Sequence, residues 1–156
     1  MNFAPSMRPP ISLRYIIWCH AAMITDKYYS LHEEFYKRAR KYAEMDEMKG
    51  YGEGILSTAY CQGLLLIGTY EFKRMFFPRA WLSVGKVTRL AVMMGFNRLD
   101  VPGQNVKQCL APPGDFAEIE ERRRVFWLAF CADRYASIGT GWPMMIDERD
   151  VSENQP

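Results

Sequence analysis

The residues best equipped for chemistry sit in Glu120-Glu121-Arg122-Arg123-Arg124-Val125-Phe126-Trp127 and in Asp133-Arg134-Tyr135-Ala136-Ser137 just after it. Three consecutive arginines beside an apolar run could grip the phosphates of a nucleic acid. However, Glu118 precedes Arg122 by four residues and Glu120 precedes Arg124 by four, the favourable orientation for ion pairs along a helix. Those acids offset much of the local positive field. Asp133 and Ser137 stand one helical turn apart, but no histidine accompanies them, so a catalytic triad is not supported. The two histidines, His20 and His32, belong to neither a His-Glu-x-x-His motif nor a nucleophile elbow. His20 reads as a satisfied core residue and His32 as a surface or boundary one. Gly50, Gly52 and Gly54 suggest a phosphate cradle, but no strand precedes them and no Lys-Ser/Thr follows, so they read as a loop.

Metal chemistry finds little support either. Cys19, Cys61, Cys109 and Cys131 form no Cys-x-x-Cys pair. His20 follows Cys19 directly, and neighbours on a helix point about 100° apart. The cysteines read as reduced, mostly buried thiols of an intracellular protein. The arginine segment supports a sharper structural reading. Phe126, Phe130, Asp133 and Ser137 share a helical stripe with Arg122 and Arg123. A buried arginine there needs a carboxylate, because an unpaired charge in the interior is costly. Asp133 with Arg123, or with Arg89, is the candidate pair.

The elements that position these residues are all helical, with no convincing strand. Ser12 can cap a first helix carrying Leu13, Ile16, Ile17, His20, Ala21 and Ile24 at helical spacing. Ser30 with Glu33 resembles a capping box for a second helix, whose apolar face is Tyr28, Leu31, Phe35, Ala39 and Tyr42. A third helix over 55–72 is apolar nearly all round and so should be central. Pro78 suits the first turn of a fourth helix faced by Trp81, Val84, Thr88, Ala91 and Val92, with Gly95 as its left-handed stop. A loop spans 97–114. Asp115 and Glu118 then open a fifth helix that runs to about residue 138, before Gly139, Gly141 and Pro143. The expected fold is an irregular all-α bundle of about five helices, forming the N-terminal part of a larger helical domain. Residues 1–12 read as a disordered leader.

Composition narrows the function. The chain has 156 residues, enough for one domain with a real core and too few for two comfortable ones. Its 20 basic residues are nearly balanced by 18 acidic ones, with the signs mixed, whereas a phosphate-gripping surface shows a clustered basic excess. The N-terminus has no apolar signal-peptide core. The most apolar stretch, 55–70, is interrupted by Ser57, Thr58, Gln62 and Thr69 and is short for a membrane span. A soluble protein with no membrane partner is expected.

The arginine segment also resembles the signature of the fungal-specific transcription factor domain, also called the xylanolytic transcriptional activator regulatory domain. That signature runs Glu-x-Arg-Arg-Arg-x-Phe-Trp, then Asp-Arg-x-x-Ser, then Gly-x-Pro and Ile, closing on Asp-Ile or Asp-Val. The chain supplies Glu120 or Glu121, Arg122, Arg123, Arg124, Phe126, Trp127, Asp133, Arg134, Ser137, Gly141, Pro143, Ile146 and Asp150-Val151. Upstream, Tyr36, Ala39 and Arg40 resemble the family's Tyr-x-x-Ala-Arg helix. Gln62-Gly63-Leu64-Leu65-Leu66 with Tyr70-Glu71 resembles its Gln-Ala-Leu-Leu-Leu helix, with Gly63 in place of the commoner Ala. Ala80-Trp81, Gly85, Arg89-Leu90-Ala91 and Gly95-Phe96 match the next. The similarity covers about 13–156.

The resemblance implies a regulatory middle domain, nuclear in location, that modulates transcription through protein partners or a small effector and does not itself bind DNA. Relatives carry an N-terminal Zn2Cys6 cluster with a short coiled coil, and their domain continues past residue 156. The resemblance therefore implies zinc and DNA contact only for a segment this chain lacks, and the chain reads as a fragment, a truncated gene product or a short paralogue. The alternative is a stand-alone helical interaction scaffold, or a truncated paralogue with no direct role in transcription. No 34- to 45-residue repeat marks it as a solenoid.

Overall fold

The computed structural model describes residues 8–99 and 109–151. It contains five α-helices: α1 (Ile11–Met23), α2 (His32–Glu47), α3 (Thr58–Lys73), α4 (Phe77–Met93) and α5 (Phe116–Thr140). Short 3-10 turns at Asp26–Leu31, Glu53–Ile55, Phe96–Arg98 and Glu148–Asp150 link or extend them. No strand occurs among the described residues, and none of their helices is long and apolar enough to cross a membrane. The fold is all-α, as expected. Part of the expected leader (1–7), half of the 97–114 loop (100–108) and the last tail residues (152–156) lie outside the described residues.

The central helix is α3, which packs against all four others. Its buried residues, among them Tyr60, Cys61, Leu64, Leu65, Ile67 and Tyr70, cover well over half of its circumference, and the side that carries Gln62, Leu66 and Thr69 stays partly open. Ser57 starts it by accepting the Tyr60 backbone N–H at 3.1 Å. Helix α4 returns antiparallel along it. The two helices pack closely at Gly68, where an added Cβ would lie 3.2 Å from Val84 Cγ2. Pro78 occupies the first turn of α4, and Gly95 follows its end with φ +76°, a conformation that favours glycine.

Two expected starts form differently. Helix α1 begins at Ile11 behind Pro10, so Ser12 lies inside the first turn, buried and without a hydrogen-bond partner for its hydroxyl. Residues Asp26–Leu31 wind into a 3-10 turn, which delays α2 until His32. Ser30 then lies too early to cap, and Glu33 instead pairs with Arg74 at 3.3 Å. The inward face of α2 shifts accordingly to His32, Tyr36, Ala39 and Ala43, leaving Tyr28 and Leu31 exposed. His32 is thus a core residue, with its Nδ1 2.9 Å from the Tyr70 hydroxyl. His20 is half-buried and donates from Nε2 to the Leu66 carbonyl at 2.9 Å.

Candidate functional site

The start of α5 is built by its own sequence. Asp115 accepts the Glu118 N–H at 2.8 Å, the expected cap. The Glu118 carboxylate turns back to accept the Gly114 N–H at 2.8 Å and the Arg122 Nη2 at 2.6 Å. Those two donors hold its carboxyl below the usual carboxylate range, the Gly114 amide contributing most.

The three arginines divide their work. Arg122 is 3% exposed. It also donates to the Ala111 carbonyl at 3.0 Å, and its guanidinium carbon lies 5.9 Å from the Phe96 ring centre. Arg123 is half-buried and pairs with Glu120 at 2.6 Å. Arg124 shares Glu120 at 3.1 Å but stays 79% exposed. One guanidinium is therefore spent inside the fold, and the other two share the single carboxylate of Glu120. Phe126 is buried, whereas Trp127 faces outward.

Two turns before the end of α5, Asp133 is buried but pairs with neither Arg123 nor Arg89. Its carboxylate accepts the Met145 N–H at 2.9 Å and the Ile146 N–H at 3.1 Å, and Arg134 donates to it at 3.3 Å. The returning chain offers two amides that need an acceptor, and Arg134 is adjacent, so the distant arginines are not required. Arg134 also stacks 4.2 Å above the Phe130 ring centre and reaches Glu148 at 3.8 Å. Arg89 is exposed on α4 beside Met145 and Ile146. Ser137 is buried, and its carbonyl accepts the Gly141 N–H at 2.8 Å where Gly141 turns left-handed at φ +75°. Beyond that turn Trp142 meets Trp81 edge-on at 5.3 Å, with Pro143 beside them. The signature residues thus tie the end of the segment back onto α4 and α5.

A second polar centre was not legible as one in the sequence. Glu71 on α3 is wholly buried, where it accepts from Tyr36 at 2.6 Å and from Ser83 at 2.7 Å, with Arg40 3.7 Å away. It joins α2, α3 and α4. A lone acid within an apolar helix was the available signal, but its partners lie 12 to 35 residues away. Burial, and then the hydrogen bond to Glu71, pushes the Tyr36 hydroxyl up to about 12.

An apolar surface is also left open to outside contacts. Leu13 and Ile17 of α1, Leu65 and Leu66 of α3, and Val125 and Leu128 of α5 line an open groove of about 320 Å³, with Glu121 and Arg124 at its rim. The exposed surface continues along α5 through Trp127, Cys131, Tyr135 and Ile138, the last 82% exposed. The cysteines are free, but only Cys19 and Cys61 are buried. Cys109 and Cys131 are exposed, contrary to expectation, because the apolar residues around Cys131 belong to this outward stripe. No three His, Cys, Asp or Glu side chains gather as a metal site requires among the described residues.

The profile of the fungal specific transcription factor domain matches residues 4–155. The chain belongs to that family. Curated relatives of this domain include the citrinin biosynthesis transcriptional activator mrl3 of Monascus ruber, 31% identical over 92% of this chain and 28% of its own length. The pigment biosynthesis transcriptional activator pigB of the same species is 30% identical over 94% of this chain and 26% of its own length. The ascochitine biosynthesis cluster transcriptional regulator of Didymella fabae is 31% identical over 94% and 25% respectively. The fungal specific transcription factor domain and these relatives are transcription factors, not enzymes. The chain spans about a quarter of their length. No solved structure matches it.

Proposed function

We propose that the chain is the regulatory domain of a pathway-specific transcriptional regulator, acting in the nucleus through contacts with protein partners and without gripping DNA itself. The observation that carries this reading is the division of labour on α5. Its arginines are buried or matched with glutamates, while Leu128, Tyr135 and Ile138 are left to solvent beside an apolar groove. An amphipathic helix laid between α1 and α5 would cover the open side of α3, the helix-in-groove mode of recognition. Such a helix would come from a partner or from sequence beyond this domain, as expected if the domain is part of a larger helical unit. Zinc and DNA contact would reside in a separate segment of a longer polypeptide.

Two measurements test this reading. Fluorescence anisotropy of a labelled duplex should show no binding by the purified chain that weakens steeply with salt. Inserting the chain between an unrelated DNA-binding domain and an activation domain should change reporter output. Salt-steep DNA binding that is lost in Arg124→Ala, or an unchanged reporter, would contradict it.

A further inference from the structure

A cavity of about 560 Å³ lies where the start of α1 meets the end of α2, away from α5. This is the size of a small-molecule site. Arg14 and Lys49 line it, and its one lining carboxylate, Asp46, already pairs with Lys49. Arg14 is half-buried, its side chain makes no hydrogen bond or ion pair among the described residues, and its Nε is shut off from water without a partner. A guanidinium stripped of part of its hydration and given no acceptor is costly, so the site has an unmet demand for negative charge. The start of α1 adds to that demand, since Pro10 offers no side-chain cap and the first turn has no acid. Tyr42, Met45 and Pro10 supply apolar walls. The internal competitor for Arg14 is the C-terminal end of α2, whose last turn carries no basic residue.

We propose that this cavity binds a small organic carboxylate with an apolar body. Arg14 takes the carboxylate in its fork, Lys49 adds charge, and Tyr42 with Met45 covers the body. The proposal names an effector class for the regulatory reading, but its test reads binding alone, so the two fail separately.

The probes are 1-naphthoate and its uncharged counterpart 1-naphthamide, titrated calorimetrically into the purified chain, into Arg14→Met and into Arg124→Met. Naphthoate is expected to bind the wild-type chain about tenfold more tightly than naphthamide. Arg14→Met should remove that preference with little change in melting temperature, because the methionine keeps the apolar stem. Arg124→Met should leave binding as it was. Equal binding of the two probes, no naphthoate binding, or full binding by Arg14→Met would overturn the proposal. An equal loss in both variants would show general anion attraction and would also overturn it. The naphthoate and naphthamide comparison on the wild-type chain decides the matter even if Arg14→Met does not fold.

Discussion

The carboxylate of Asp133 accepts the backbone N–H of Ile146 at 3.1 Å, closing a thirteen-residue loop that turns back at Gly141. The same carboxylate holds the Met145 N–H, so one buried side chain terminates the free amides of the returning strand of chain. Asp133→Ala should cost about 3 kcal/mol, since hydrogen bonds to a charged group are worth roughly 1.5–3 kcal/mol and two buried amides would be orphaned. Asp133→Asn should lose less, as its carbonyl can still accept. Urea unfolding followed by circular dichroism measures both.

Arg122 and Arg124 are two positions apart and should behave oppositely. Arg122→Ala removes a buried side chain together with its hydrogen bonds to Glu118 and the Ala111 carbonyl, and should destabilise by about 2–3 kcal/mol. Arg124→Ala, at an exposed ion pair, should stay within about 0.5 kcal/mol of wild type. Equal effects would mean that the run is not divided between interior and surface.

The two glycines facing neighbours on α3 give a further contrast. A Cβ at Gly63 would sit 3.7 Å from Leu13 Cα, ordinary contact distance, so Gly63→Ala should stabilise by about 0.5–1 kcal/mol through helix propensity alone. At Gly68 the added Cβ would lie 3.2 Å from Val84, and Gly68→Ala should gain nothing or lose stability as α3 and α4 are pushed apart. Melting temperatures of the two variants decide.

Alkali should unfold the protein through its buried tyrosines. Burial is the leading cause that raises Tyr36 and Tyr70 to about 12 and Tyr60 beyond that range. Folded values above the unfolded one, about 10, mean that the stability is complete below pH 10. It is then lost as pH rises towards 12. Part of the tyrosinate absorbance should therefore appear only as the helical dichroism disappears. Tyrosinate forming fully while the helices persist would count against this burial.

Much of the fold is legible along the chain because it is written in local rules. The Asp115 cap, Pro78 at the start of α4, the left-handed Gly95 and the largely apolar α3 each depend on neighbours a few residues away. The face of α2 was less readable, since the phase of its stripe is set by a 3-10 turn that brings His32 inward. The signature segment could be located, but its pairing could not. Asp133 was open to any arginine of the right reach, and what took it was the backbone of 145 and 146, which no side-chain pattern advertises. Glu71 was hidden for the same reason, because its value lies in Tyr36 and Ser83 on two other helices.

The most direct test of the regulatory account is the reporter fusion carrying Leu128→Glu, a charge placed in the groove between α1 and α5. Leu128 is exposed, so the variant should melt within a few degrees of wild type while the chain's effect on reporter output is largely lost. An unchanged effect from a well-folded Leu128→Glu chain would contradict the claim that this face is where the domain meets its partner.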